Sequence, residues 1–330
     1  MKTNPEKESV FYSNKNFKFS YSSLNRLNYS PSLFYKDYIL QDREEKTEKY
    51  LIEGKLVHLL LFEPQELNNK FNIVPGKTPS DGVIKVLKAM SSQLVLFPNF
   101  DDVPDSAILD ALKECNLHQA LKEDEARVAK VRTDDVKDYW SFMSKSKLDV
   151  IDPDILARCQ DYVETIKSNK DVMELFADKP SDFELDPIKA FSEHYLECSL
   201  NDRAFGLKGF LDFFKIDSEN KTVTICDLKT TSKTISDFGE TLEFYNYWMQ
   251  AAIYYKLVLE NLDKSEQDYK IIFKFVVIDK YNQVYVFDVS DETMAVWGNR
   301  LSVMLDQADY HYNNNNYSLP YQFLFGNVTL

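Results

Sequence analysis

The chain has 330 residues, 44% of them hydrophobic, and 53 acidic side chains against 39 lysines and arginines, a net charge of −14. That length and apolar content can bury a substantial core, whereas a charge this negative excludes broad electrostatic attraction to nucleic acid, which depends on neutralising phosphates. No run approaches the ~20 apolar residues of a membrane span, the start Met1-Lys-Thr-Asn-Pro-Glu6 lacks an apolar signal region, and the widely spaced Cys115, Cys159, Cys198 and Cys226 read as reduced thiols of a cytoplasmic protein.

Residues 1–19 are polar and read as a loosely ordered segment. Ser20 or Ser22 can cap a short helix ending near Pro31. Lys49–Phe62 is predicted as a helix with Gly54 and His58 on one face, ended by Pro64. A breaker-rich loop spans 75–82, and helices are predicted near Val83–Leu94, Asp105–Lys122 and Asp134–Met143. Asp152-Pro153 opens a long amphipathic helix to about Phe176. Three strands follow, then a helix Asp237–Leu262, strands Tyr269–Ile278 and Gln283–Val289, a helix Asp291–Tyr312 and a polar loop Asn313–Asn316. No internal repeat is visible. This order gives an α/β protein with a helical N-terminal region. The expected organisation is one domain over 20–330 with a helical insertion at about 79–147.

The three strands carry the most information. Gly209-Phe-Leu-Asp212-Phe-Phe-Lys-Ile-Asp217 and Thr222-Val-Thr-Ile-Cys-Asp227-Leu-Lys229-Thr-Thr231 alternate around the turn Ser218–Lys221. Pairing Asp217 with Thr222 sets Asp212 opposite Asp227, on a face shared with Phe210, Phe214, Ile216, Val223 and Ile225. Pairing Leu200 with Phe205 sets Glu193 opposite Asp212 and Glu197 opposite Lys208, the latter a simple ion pair. Like charges directly opposed are destabilising, and a divalent cation would resolve the conflict. Oxygen ligands without thiolates favour Mg²⁺, with Mn²⁺ as substitute. Lys229, two residues beyond Asp227, could hold an attacking water or stabilise phosphate charge. Thr230 and Thr231 could donate to phosphate or merely suit a strand end.

Acidic strand, hairpin aspartate and Asp227-x-Lys229 resemble the core of the PD-(D/E)XK nucleases, in the branch of RecE (exonuclease VIII), the RecB nuclease domain and lambda exonuclease. Gly54-Lys-Leu-Val-His58 resembles that branch's Gly-x-x-x-His helix, and Gln250-Ala-Ala-Ile-Tyr254 its Gln-x-x-x-Tyr helix. Ser20–Phe34 resembles the opening helix of RecE-like phage nucleases. One departure is Leu211, where proline commonly precedes the first aspartate. The likeness runs from about Ser20 to the tail, weakest from about Pro79 to Lys147.

The resemblance implies a restriction-endonuclease-like core of a mixed sheet flanked by helices. It also implies a Mg²⁺-dependent deoxyribonuclease resecting duplex DNA 5′-to-3′ for recombination or repair. Asp212, Asp227, Glu193 and His58 would hold metal, Lys229 would act on the reacting phosphate, and Gln250, Tyr254 and Thr230 would position DNA. A His within Leu-Val-His-Leu-Leu-Leu is equally what a packed core histidine looks like. DNA, a single-strand-annealing protein and further copies in a ring are the implied partners, in a bacterial host cell if the chain is phage-encoded. The cysteine spacing gives no iron–sulfur cluster. An endonuclease on internal or branched DNA and a non-catalytic DNA-binding module remain the alternatives. Local basic surface for DNA would have to come from runs such as Arg127, Lys130 and Arg132, which also read as a solvated helix face.

Overall fold

The computed structural model describes residues 5–13, 17–43, 49–176 and 188–326. Its chain divides into two compact units, residues 1–46 with 162–330, and residues 47–161. The described strands are β1 (Lys18–Phe19), β2 (Phe71–Ile73), β3 (Asp149–Ile151), β4 (Ile188–Ser199), β5 (Gly206–Asp217), β6 (Thr222–Thr231), β7 (Lys270–Asp279) and β8 (Val284–Val289).

In the larger unit a mixed six-stranded sheet runs β1-β5-β6-β7-β8, with β4 also paired to β5. The meander β4–β5–β6 is antiparallel, β6 and β7 are parallel, and β8 returns antiparallel on β7. A parallel pair needs a crossover, which the helices Phe238–Phe244 and Tyr247–Asn261 supply. The expected α/β class, a central mixed sheet flanked by helices, is what forms. The helix Tyr247–Asn261 buries Met249, Ala251, Ile253, Leu257 and Val258 in a core shared with Leu207, Leu211, Phe214, Val223 and Ile225 of the sheet. Its approach is close: a Cβ on Gly209 would lie 2.8 Å from Tyr254 Cε1 and 3.1 Å from Leu257 Cδ1.

The expected register could come from a two-residue turn, with Ser218 paired to Lys221, or a four-residue one; the four-residue turn forms, with Asp217 paired to Thr222. Asp217 Oδ1 accepts from the Asn220 amide at 2.9 Å, and Lys221 takes a left-handed φ of 50°. Strict alternation along β4 and β5 does not hold. On the helix side lie Leu207, Gly209 and Leu211, but farther along it is Phe214 and Ile216. On β4 the same side holds Phe191, then His194, Leu196 and Cys198, and the Phe191 and Phe214 rings stack at 4.7 Å. Both strands therefore change face between Ser192↔Phe213 and His194↔Leu211, and the intervening Glu193 and Asp212 are skipped by the ladder. Glu193 carries the switch at φ 46°, a conformation costing a non-glycine residue about 1–3 kcal/mol. In consequence Phe210 does not share a face with Phe214 and Ile216. It is 60% exposed and packs its ring at 5.0 Å against Tyr195.

Other boundaries differ for local reasons. Pro5–Ser13 is a helix whose Phe11 ring lies 4.7 Å from Phe17, so that part of the polar start is ordered; residues 1–4 and 14–16 lie outside the described residues. Ser20 caps Tyr21–Tyr29 in a reciprocal box with Ser23. The expected helix Asp237–Leu262 breaks at Asn246, which is left-handed at φ 57°. The expected helix to Phe176 breaks after Ser168 and resumes at Lys170. Asp105–Lys122 stops at Glu114. At the other end the helix from Asp291 runs on to Asn314, with Asn315 left-handed as its stop.

The smaller unit encloses the span 79–147. Its helix Lys49–Phe62 forms as expected, and β2 pairs parallel with β3. A separate apolar cluster gathers Val86, Leu87, Ile108, Leu112 and the fully buried Trp140, whose indole N–H donates to Phe97 O at 2.9 Å. Arg127 and Arg132 hold this unit together rather than forming a solvated basic face. Arg127 donates to Leu121 O and Asp124, and Arg132 to Val103 O, Phe100 O and Asp105.

Because the helix Tyr247–Asn261 rests on a bare backbone at Gly209, Gly209→Ala is expected to destabilise the protein by about 1–3 kcal/mol through overpacking. Urea unfolding checks this, and an unchanged midpoint would mean the helix can shift without loss.

Candidate active site

β5 and β6 pair from Asp217↔Thr222 as far as Phe213↔Cys226 and then part. Asp212 and Asp227 are therefore not a ladder pair, although each lies next beyond it. Instead the Asp212 carboxylate takes the place of a ladder carbonyl, with Oδ2 accepting from the Leu228 amide at 2.7 Å. This answers the crowding expected from direct opposition: one carboxylate turns into the gap between the strands and is satisfied by backbone.

Asp227 stays in register on β6, next after Val223 and Ile225 on the helix side, and is fully buried. Lys229, one pleat further, returns its Nζ to Asp227 Oδ2 at 2.5 Å. The ammonium also lies 4.8 Å from the centroid of the Tyr247 ring, a cation–π contact. Burial pulls the Lys229 pKa down, but Asp227 and then Asp212 outweigh it, and the net shift is upward. The group is thus an ammonium donor rather than a base.

Glu193 and Asp212 each present a carboxylate oxygen, and the two lie within 4.8 Å of one another. The register of β4 on β5, unchanged on either side of them, leaves the two residues opposite one another as the sequence pairing expected, with Glu193 at φ 46°. From the helix above, Gln250 Nε2 donates to the Tyr254 hydroxyl at 2.8 Å, both side chains being buried. Burial first, and then the negative charge of Asp212, Asp227 and Glu193, holds the Tyr254 phenol well above its usual range. That hydroxyl thus feels all three carboxylates while remaining a neutral donor.

The carboxylate set fits a hard divalent cation, which takes oxygen donors. Cys226 is next to Asp227 but on the other face of β6, and burial pushes its thiol up to about 12, so it offers no thiolate. Another buried acid, Asp279, is structural: its Oδ1 accepts the Tyr281 and Gln283 amides at 2.9 and 3.0 Å and its Oδ2 the Ile235 amide at 3.2 Å.

The remaining expected residues fall as follows. Thr230 is half-buried on β6 beside Lys229, and Thr231 Oγ1 accepts from the Lys233 amide at 3.1 Å. Glu197 does pair with Lys208 in the ladder, but its ion pair is to Lys18 on β1 at 3.1 Å. His58 belongs to the smaller unit, half-buried on Lys49–Phe62 with its ring 6.3 Å from Phe62. Tyr247 opens the helix that carries Gln250 and Tyr254. Nothing in the local sequence announces that its ring lies against Lys229.

The sequence profile of the PD-(D/E)XK nuclease superfamily matches residues 18–309. The chain belongs to that superfamily. No curated protein matches it significantly. Among solved structures, a crystal structure from Eubacterium rectale described as "Putative exonuclease" aligns with a TM-score of 0.48 at 11% identity, covering 96% of this chain and 88% of that one. No described helix is long and apolar enough to cross a membrane.

Removing one member of a buried ion pair strands the other. Asp227→Ala is therefore expected to lower stability toward the about 3–5 kcal/mol typical of such breaks, tempered by Asp212, whereas Asp227→Asn with Lys229→Met should cost less than Asp227→Ala alone. Chemical denaturation measures both, and a fully stable Asp227→Ala protein would contradict the pairing.

Proposed function

We propose that this PD-(D/E)XK nuclease is a Mg²⁺-dependent exonuclease of the RecE-like phage type, resecting linear duplex DNA 5′-to-3′ for recombination or repair. The observation that carries the chemistry is the pairing of Lys229 with Asp227 beside Asp212. The exonuclease reading is supported by the resemblance of the Gly54–His58 and Gln250–Tyr254 motifs to the RecE and RecB branch. The same resemblance extends to a strand-annealing partner for the 3′ strand and to a ring of copies.

Asp212, Asp227 and Glu193 would hold a divalent cation, which when bound would supply Lewis-acid stabilisation of phosphoryl oxygens and would acidify an attacking water. Lys229 donates a hydrogen bond to that water or to a non-bridging oxygen, its position fixed by Asp227 and Tyr247. Tyr254, kept neutral, and Gln250 supply donors and acceptors to the DNA backbone, with Thr230 at the strand end. His58 enters through the resemblance alone, as a further ligand or phosphate contact.

End-labelled linear duplex and closed circles of the same sequence, incubated with Mg²⁺ or with chelator, test the reading. Loss of label from linear DNA alone, abolished by chelator and by Lys229→Ala, is expected. Cleavage of circles would establish the endonuclease, and no cleavage of either the binding module. For His58, His58→Ala should reduce the rate at least tenfold; an unchanged rate would return it to the apolar packing of its helix.

A further inference from the structure

The corner leading into the helix Tyr247–Asn261 holds large rings in water. Phe244 and Tyr245 are 77% and 43% exposed. Their rings meet edge to face at 4.9 Å, and Tyr245 stacks on Tyr247 at 5.5 Å and 25°. Tyr247 in turn lies against the Lys229 ammonium. A chain of aromatic contacts thus runs from Lys229 to solvent, with Tyr245 stacked on Tyr247 and Phe244 set perpendicular against Tyr245.

The corner is fixed, so these rings are not exposed because the segment is loose. Asn246 donates to Asn25 Oδ1 at 2.9 Å and accepts from the Trp248 indole at 3.1 Å. The Tyr21 hydroxyl donates to Tyr245 O at 2.5 Å. Glu243, beside Phe244, receives both terminal nitrogens of Arg300 at 3.0 and 2.9 Å, and that guanidinium lies 3.9 Å from the Trp248 ring centroid. Holding two rings rigid but unburied gains nothing for folding, since apolar surface stabilises only when removed from water.

We propose that Tyr245, buttressed by the perpendicular Phe244 ring, forms a stacking platform for the nucleobase adjoining the scissile phosphate. The proposal rests on the nuclease reading of the Asp212, Asp227 and Lys229 site. A base follows its phosphate covalently, so a phosphate at Lys229 delivers a flat π-face to the neighbouring Tyr245 ring. Stacking tolerates any sequence because every base has such a face. Only a terminal or unpaired base can offer its face, since bases inside a duplex stack on each other, and the platform therefore selects frayed or single-stranded ends. It also gives a protein of net charge −14 a hold on DNA that releases few counterions, so binding should weaken little with salt.

The test uses oligonucleotides bearing 2-aminopurine or an abasic residue at the terminal positions, with the full chain, Phe244→Ala/Tyr245→Ala and Tyr245→Phe. In Ca²⁺, 2-aminopurine fluorescence should be quenched on binding to wild type and to Tyr245→Phe, but not to the double alanine variant. In Mg²⁺, the double variant should raise KM about tenfold for base-bearing ends, with kcat within twofold, and leave KM for abasic ends unchanged. Equal losses on base-bearing and abasic ends would mean that the corner only supports the site, and no loss on either that it does not touch DNA; both overturn the proposal. If wild type cleaves nothing, the nuclease reading fails by itself, while the quenching comparison still decides whether the platform binds a base.

Discussion

Burying Lys229 against Asp227 removes two charges from water, and in a low-dielectric interior such a pair persists only where geometry and neighbouring groups compensate desolvation. Here compensation comes from three directions: the direct contact at 2.5 Å, the Tyr247 ring face and the nearby Asp212 charge. The first is made within β6 and the last comes from β5, but the Tyr247 ring requires the helix Tyr247–Asn261 to lie close over the end of β6. That closeness needs a residue without a side chain at Gly209, where Tyr254 and Leu257 meet the sheet. It also needs the left-handed corner at Asn246, which turns the chain so that Tyr247 opens the helix directly over Lys229.

The second constraint is the shared change of face in β4 and β5. A regular pleat would send Phe210, Asp212 and Phe214 to one side. The structure sends Leu211 and Phe214 to the core and leaves Asp212 between strands, bonded to the Leu228 amide. Strain at Glu193 is thus coupled to a specific outcome: two carboxylates meet beside the ion pair while the apolar core continues on both sides. Backbone strain concentrated at a carboxylate of this kind is what functional sites commonly store.

Much of the framework was legible because it depends on short-range rules. Alternation on both sides of the polar break Ser218–Lys221 gave the hairpin register, and a two-residue separation on one strand put Lys229 on the face of Asp227. The apolar stretch from Lys49 ended by Pro64 gave its helix. What was illegible depends on distant partners. The alternation of Phe210, Asp212 and Phe214 reads as regular, and only the packing of Phe191 on Phe214 and of Leu211 in the core reveals the switch. The apolar pattern from Phe238 to Val258 passes through Asn246 without interruption, so the corner is visible only once Asn25 and Trp248 bind it. Glu197 chose Lys18 over Lys208 because the two-residue strand Lys18–Phe19 pairs with the start of β5, a contact no local pattern contains. Among the candidate site residues, the sequence brought the carboxylates and Lys229 into one argument but gave no sign of Tyr247 as the surface on which the ammonium rests.

The central proposal is that Glu193 and Asp212, opposite one another on β4 and β5, form one cation site with Asp227, which is held with Lys229. Electron paramagnetic resonance titration of Mn²⁺ measures this directly, comparing the wild-type chain with Asp212→Asn, Glu193→Gln and the structural control Asp279→Asn. The account expects saturable binding by the wild type, weakened at least tenfold in the first two variants and retained in folded Asp279→Asn protein. Undiminished Mn²⁺ binding by Asp212→Asn and Glu193→Gln would contradict it.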